Sequence, residues 1–262
     1  MAGEVITITS GKGGVGKTTT TANVGTALAM LGRKVAVVDA DIGLRNLDLV
    51  LGLENRIVYD IVDVVERRAR LAQALVRDKR YPELHLLPAA QSRDKSAVTP
   101  TQMSQICDAL RSHYEFILVD SPAGIEQGFH NALSGADRVI VVTTPEMSAV
   151  RDADRIIGLV EAAEKAVPQL IVNRLKVEMV RRNEMLSVED VLDVLAVPLL
   201  GVVPDDESVI VATNDGVPVA TEERSLSGRA YRNIARRLLG EEVPYLDLRE
   251  RGFFERLFGF MR

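Results

Sequence analysis

Gly11-Lys-Gly-Gly-Val-Gly-Lys-Thr18 decides the fold of this chain. It follows a short apolar run at residues 5–9 and opens a longer segment, 18–31, with helical periodicity. The pattern G-x-x-x-x-G-K-[ST] between a strand and a helix is a phosphate-cradling loop. Its glycines let the backbone turn tightly, so that successive N–H groups point at phosphate oxygens. The helix N-terminus adds its positive end. Lys17 is placed to contact β- and γ-phosphates, and the Thr18 hydroxyl to ligate Mg²⁺. The expected nucleotide-binding set is Gly11, Lys12, Gly13, Gly14, Val15, Gly16, Lys17, Thr18 and Thr19, with ATP and Mg²⁺ as the expected ligands.

Outward from the loop, runs rich in Val, Ile and Leu recur at 34–39, 84–87, 116–120, 138–143, 169–173 and 199–203. They are too short for helices and mostly do not alternate apolar with polar, which suits strands buried on both faces. Segments 101–112, 150–166 and 226–239 carry helical spacing between them. Strand and helix alternate along the chain, so the expected fold is α/β: a doubly wound, mostly parallel sheet flanked by helices. Gly32 is placed to cap the first helix, and Thr99-Pro100 to start the one carrying Met103 and Ile106.

The 262 residues fit one large α/β domain or two small ones. A net charge of −5 gives no global field that would attract nucleic acid, so no nucleic-acid partner is expected. The single cysteine, Cys107, excludes an internal disulfide and a cysteine-held cluster, and fits a reducing compartment. The N-terminus lacks the pattern of a signal peptide, and no apolar run reaches spanning length, so a cytoplasmic location is expected.

Two apolar runs end in acids: Val35-Ala-Val-Val-Asp-Ala-Asp41 and Phe116-Ile-Leu-Val-Asp120. Carboxylates at the C-terminal edge of a parallel sheet face the ligand crevice. Asp41 is a candidate for orienting the attacking water and Asp39 for holding a metal-bound water; capping the next turn is the alternative for each. Asp120 has the Walker B arrangement, an acid that supports Mg²⁺. A further run ends in Asn173-Arg-Leu-Lys176, which lacks the Asn-Lys-x-Asp that reads guanine in GTPases and so favours ATP. No Glu or His stands beside these segments, so the expectation is slow turnover accelerated by a partner. Lys12 is not required by an ordinary P-loop. It is either a solvated lysine or one that reaches a second nucleotide across an interface.

Lys12-Gly-Gly-Val-Gly-Lys-Thr18, Asp39-Ala-Asp-Ile-Gly-Leu-Arg-Asn-Leu-Asp48 and Asp120-Ser-Pro-Ala-Gly-Ile-Glu126 resemble the signature and two switch segments of the deviant Walker-A ATPases, the ParA/MinD family of P-loop NTPases. Ser148-Ala-Val-Arg-Asp-Ala-Asp154, Met185-Leu-Ser-Val-Glu-Asp190 and Gly201-Val-Val-Pro-Asp205 extend the resemblance nearly end to end, closest to the septum-site branch. The resemblance implies an ATP-dependent homodimer in which Lys12 contacts the partner's phosphates and Asn46 supports the closed state. It places Asn173 and Pro204 beside the adenine. It puts Asp152 in the surface used by a division inhibitor of the MinC kind and an activator of the MinE kind. A ParA-type cargo-positioning ATPase is the alternative. It would use a basic dimer face, which the acidic composition does not suggest.

The C-terminus reads differently. Residues 241–250 carry Pro244 and no period, as a linker or surface strap would, after an ATPase domain spanning 1–240. Of six phenylalanines, four (Phe253, Phe254, Phe258 and Phe260) fall in the last ten residues. At about 100° per residue, with Leu257 and Met261, they fit one arc of roughly 160° that leaves Arg256 and Arg262 outside. Residues 251–262 thus carry the pattern of an amphipathic helix lying on an anionic membrane surface, the cytoplasmic face of the cell membrane. A helix docked on the domain core is the competing reading. Partial immersion of six side chains, at roughly 1.5–3 kcal/mol for each full burial, barely offsets ordering ten residues at roughly 1–2 kcal/mol each. One tail therefore binds weakly, and two tails on a dimer gain avidity of about 10²–10⁴.

Overall fold

The computed structural model describes residues 2–248. The tail face of Phe253, Phe254, Leu257, Phe258, Phe260 and Met261 lies outside the described residues. Strands β1 (Glu4–Thr9), β2 (Val35–Asp39), β3 (Val76–Arg77), β4 (Leu84–Leu87), β5 (Phe116–Asp120), β6 (Arg138–Thr143), β7 (Gln169–Leu175) and β8 (Leu199–Pro204) form one sheet. Its order is β3-β4-β2-β5-β1-β6-β7-β8. Every pairing is parallel except that of β3 with β4.

The helices are α1 (Lys17–Met30), α2 (Leu47–Leu51), α3 (Ile61–Val65), α4 (Leu71–Ala74), α5 (Pro100–Arg111), α6 (Gln127–Ser134), α7 (Met147–Ala162), α8 (Val177–Arg181), α9 (Val188–Leu195), α10 (Ser208–Asn214) and α11 (Leu226–Leu238). Successive strand residues serve opposite layers. Ile6, Ile8 and Leu118 pack under α1, α2 and α11, whereas Val5, Ile117 and Val119 pack under α3 and α5. Farther along that second face, Val139, Val141 and Val172 meet α6, α7 and α9. Burial on both faces is why these strands are continuous apolar runs.

The punctuators work locally as their chemistry requires. After α1, the Arg33 N–H donates to Leu28 O (3.1 Å) and the Gly32 N–H to Ala29 O (2.9 Å), closing a Schellman cap with Gly32 at φ +76°. Thr99 caps α5 reciprocally with Gln102, and Pro100 occupies the first turn.

Some boundaries moved. α7 spans Met147–Ala162 rather than 150–166, ending where Glu164 turns left-handed at φ +54°. β7 continues past Asn173 because Leu175 pairs with Pro204 beyond a register shift. The two-residue β3 and the short helices α2, α3 and α4 had no signal in the sequence reading.

Residues 241–248 form a strap without regular structure. Arg237 of α11 clasps it. Its guanidinium donates to Val243 O (2.9 Å), Pro244 O (2.9 Å) and Leu200 O (3.1 Å), and lies 4.3 Å from the Tyr245 ring centroid. The Tyr245 hydroxyl donates to Leu199 O (2.7 Å) on β8, the outermost strand of that side.

Candidate nucleotide site

The loop after β1 turns through two left-handed glycines, Gly14 (φ +79°) and Gly16 (φ +97°), where a side chain would be strained. A Cβ on Gly16 would lie 2.3 Å from Asn173 Nδ2, and one on Gly11 2.2 Å from Asp152 O, so β7 and α7 press on the loop from two sides. The Asn173 amide donates to Val15 O (2.8 Å), and the Ser10 hydroxyl to Lys12 O (2.8 Å). Gly16 caps α1 with no side-chain bond, and the first turn carries no acid. The helix end therefore presents its partial positive charge to the crevice.

Asp39 and Asp120 stand directly opposite each other in the β2–β5 register, both 1% exposed. Burial, and then the neighbouring Asp120, pushes the Asp39 carboxyl well above the usual range. The Asp39 carboxylate accepts N–H bonds from Asp41 (3.0 Å), Asn46 (3.2 Å) and Leu47 (3.2 Å). These are the bonds of the turn-capping alternative, and they hold the loop from 41 to 46 over the crevice. Burial likewise raises Asp120, against the pull of Lys17 and of the Thr18 and Thr21 hydroxyls. Thr21 Oγ1 lies 3.1 Å from Asp120 Oδ1. Asp41, half-buried, is raised by burial against Lys17 and Lys95.

The donor set tests the expected metal. Thr18 and Asp120 offer hard oxygen atoms at one place, the ligand type of Mg²⁺. Two buried acids with raised affinity for protons are also held without enough positive charge to balance them. A divalent cation beside Lys17 supplies that charge, so the residues fit the ion.

Lys12 is exposed, and its ammonium donates to Ser148 Oγ (3.3 Å) and sits 3.7 Å from Glu146 at the start of α7. Asp152, half-buried on α7, lies against Gly11. Asn46 precedes α2 with its side chain exposed. Beyond Gly16 and Thr19, Asn173 and Pro204 line a cavity of about 200 Å³ with Val209, Ile210 and Tyr231. The sequence reading missed Val209, Ile210 and Tyr231, whose apolar spacing marks ordinary helix. It also missed Arg45–Asp48 (2.9 Å), a nearly buried ion pair that pins the loop after Asp39 with Arg45 at φ +46°.

The model of the CobQ/CobB/MinD/ParA nucleotide binding domain matches residues 6–219. The chain is 58% identical to the septum site-determining protein MinD of Synechocystis over 244 residues, 93% of this chain and 92% of that one. Among solved structures, MinD in the MinC:MinD cell division protein complex of Aquifex aeolicus aligns with TM-score 0.86 and 51% identity. That alignment covers 92% of this chain and 97% of the other. The Pyrococcus horikoshii MinD complexed with Mg-ADP aligns with TM-score 0.82 and 32% identity, covering 90% and 95%.

Proposed function

The chain belongs to the CobQ/CobB/MinD/ParA nucleotide-binding family and, within it, to the septum site-determining MinD proteins; on that premise we propose how its site serves division-site placement. The protein is an ATPase that takes ATP with Mg²⁺ and acts with MinC to position the septum. One observation carries the reading. The glycine loop, Lys17, Thr18, Asp39, Asp41 and Asp120 converge on the C-terminal edge of three adjacent strands, β2, β5 and β1.

Backbone N–H groups of Gly13, Gly14, Val15 and Gly16 and the Lys17 ammonium hold the β- and γ-phosphates; Thr18 and Thr19 follow at the helix start. Asn173 and Pro204 border the base. Mg²⁺, when bound, neutralises charge developing on the transferred phosphoryl group. Thr18 and Asp120 would hold it, with Asp39 as the candidate for a metal-bound water. Asp41, with Lys17 opposing its raised proton affinity, orients the attacking water. Turnover is slow, and a MinE-type activator accelerates it.

ATP closes a homodimer. Lys12 must leave Glu146 and Ser148 to reach the partner's phosphates, and an exposed pair costs at most about 1 kcal/mol to part. Asn46 supports the closed dimer, and Asp152, which lies against Gly11, belongs to the surface used by MinC and a MinE-type activator. Among the described residues no helix is long and apolar enough to cross a membrane. The reading is instead a peripheral protein on the cytoplasmic membrane face, held by paired 251–262 tails that follow the 1–240 ATPase domain and its 241–250 linker.

Sedimentation with anionic vesicles under ADP and then ATP tests the whole. ATP should recruit the intact chain, and deletion of residues 253–262 should abolish recruitment while leaving ATP-dependent dimers. Equal binding with either nucleotide would refute the coupling. Asp41→Ala should accumulate dimers on ATP; ordinary turnover there would remove Asp41 from the mechanism.

A further inference from the structure

Alongside the strap runs an apolar groove of about 320 Å³, lined by Leu175, Val177, Val180, Val188, Leu192 and Leu246. Its position follows from the fold. β8 is the outermost strand, α8 and α9 lie beyond the end of β7 and before β8, and the clasped strap closes the remaining side. Val177, Val180, Val188 and Leu192 are only half-buried. An apolar trough of this volume, within the range of ligand pockets, is open to an occupant.

Three observations identify the occupant. The last described residue, Leu248, is itself a wall of the groove, so the described chain ends there. The 14 residues that follow (249–262) hold six large apolar side chains, among them four of the chain's six phenylalanines. Their charge is also complementary. Arg249, Arg251, Arg256 and Arg262 outweigh Glu250 and Glu255, whereas the charged residues lining the groove are Glu189 and Asp247.

We propose that this groove is an intramolecular docking site for the chain's own C-terminal segment, occupied when no membrane is present. It rests on the reading of that segment as the membrane anchor and adds a competitor to lipid. Burying the phenylalanines in cis keeps a greasy terminus from associating with other copies. A lipid surface must then outcompete the groove, which raises the threshold that a single tail has to clear and sharpens the demand for two. The groove also shares strands β7 and β8 with the base cavity, Leu175 lying two residues beyond Asn173 and Val202 two before Pro204.

The chain has no tryptophan, so Phe254→Trp places one reporter in the segment. In full-length protein without lipid, its emission should be blue-shifted, shielded from iodide and unchanged on dilution. Adding Leu192→Glu, or separately Val188→Lys in case the first variant misfolds, should shift emission to that of solvated indole. Each should also raise vesicle sedimentation several-fold at fixed nucleotide while leaving ATP turnover unchanged. Solvated emission in the reporter protein with an intact groove would overturn the proposal. So would shielding lost on dilution, which would assign the groove to another copy's tail. Shielded emission that groove variants expose, in a protein that no vesicle recruits under any nucleotide, would keep the groove and remove the membrane reading.

Discussion

The two edges of one sheet treat their carboxylates in opposite ways. At the C-terminal edge, Asp39 and Asp120 face each other, almost fully buried, with their proton affinities raised by burial. At the N-terminal edge, Asp137 takes a two-pronged bond from Arg111 and the Val5 N–H (2.8 Å), and its proton affinity is lowered by these partners although burial opposes them. Glu4–Arg138 (3.2 Å) and Arg33–Glu115 (3.2 Å) add further pairs there. The lower edge balances its charge internally and so contributes to stability. The upper edge keeps an unbalanced negative charge that a divalent cation offsets, at a cost to the empty protein.

The largest expected effect breaks this contrast at the upper edge. Asp120→Asn removes one carboxylate of the facing pair and the group proposed to hold the cation. ATP turnover should fall by about 10²–10³, the scale for losing one preorganised electrostatic group. The same variant, free of nucleotide and metal, should melt higher at pH 8, by about 2–4 °C for each 1 kcal/mol of relieved repulsion. Turnover near the parent level, or a lower melting point, would show that the pair is not a stored cost.

Next in size is Asn173→Ala. It orphans the buried Val15 carbonyl and loosens the loop at its left-handed Gly16. A nucleotide affinity about tenfold weaker by calorimetry is expected, equivalent to about 1.4 kcal/mol. Unchanged affinity would mean that the loop holds its shape without β7.

That contact marks where sequence reading stops. The loop, its flanking strand and its helix are legible because the signal is contiguous, and Asp39 and Asp120 stand out because each ends an apolar run. Their facing register is not legible, since it depends on β2 pairing with β5 across some 80 intervening residues. Asn173 meets Val15 from 158 residues away, and no local pattern announces it. The helices α2, α3 and α4 have four or five residues each and are stabilised by burial of Leu47 and Leu51, of Ile61 and Val62, and of Ala74, not by propensity. The strap is readable as a segment from Pro244 and its missing period, but its clasp by Arg237 runs through backbone carbonyls that no side-chain pattern announces.

The two edges should also separate by pH in the nucleotide-free protein. A carboxyl raised on folding binds its proton more tightly in the folded state. Asp39 and Asp120 therefore add stability at acid pH that is lost as pH rises above the ordinary value of 3.8 toward neutrality. Asp137, lowered on folding, contributes stability that is present above 3.8 and lost as pH falls below it. Urea midpoints between pH 5 and pH 8 should decline in the parent and flatten in Asp120→Asn; equal slopes in both would refute the assignment.

The smallest effect tests the lower edge. Asp137→Asn keeps the shape but weakens both the Arg111 fork and the bond from Val5 at the start of the central strand. The Asp137 side chain is 42% exposed, so solvent screens much of the pair and the loss should be only about 1 kcal/mol. The melting temperature should drop by about 2–4 °C. ATP turnover should stay at the parent level, because the strand length separates Asp137 from the phosphate loop. Asp120→Asn and Asp137→Asn thus make a contrasting pair, one losing activity while gaining stability and the other losing stability while keeping activity. A turnover defect in Asp137→Asn would mean that the register of β1 against β6, set at one edge, is transmitted to the other, and that the division of labour between the edges is incomplete.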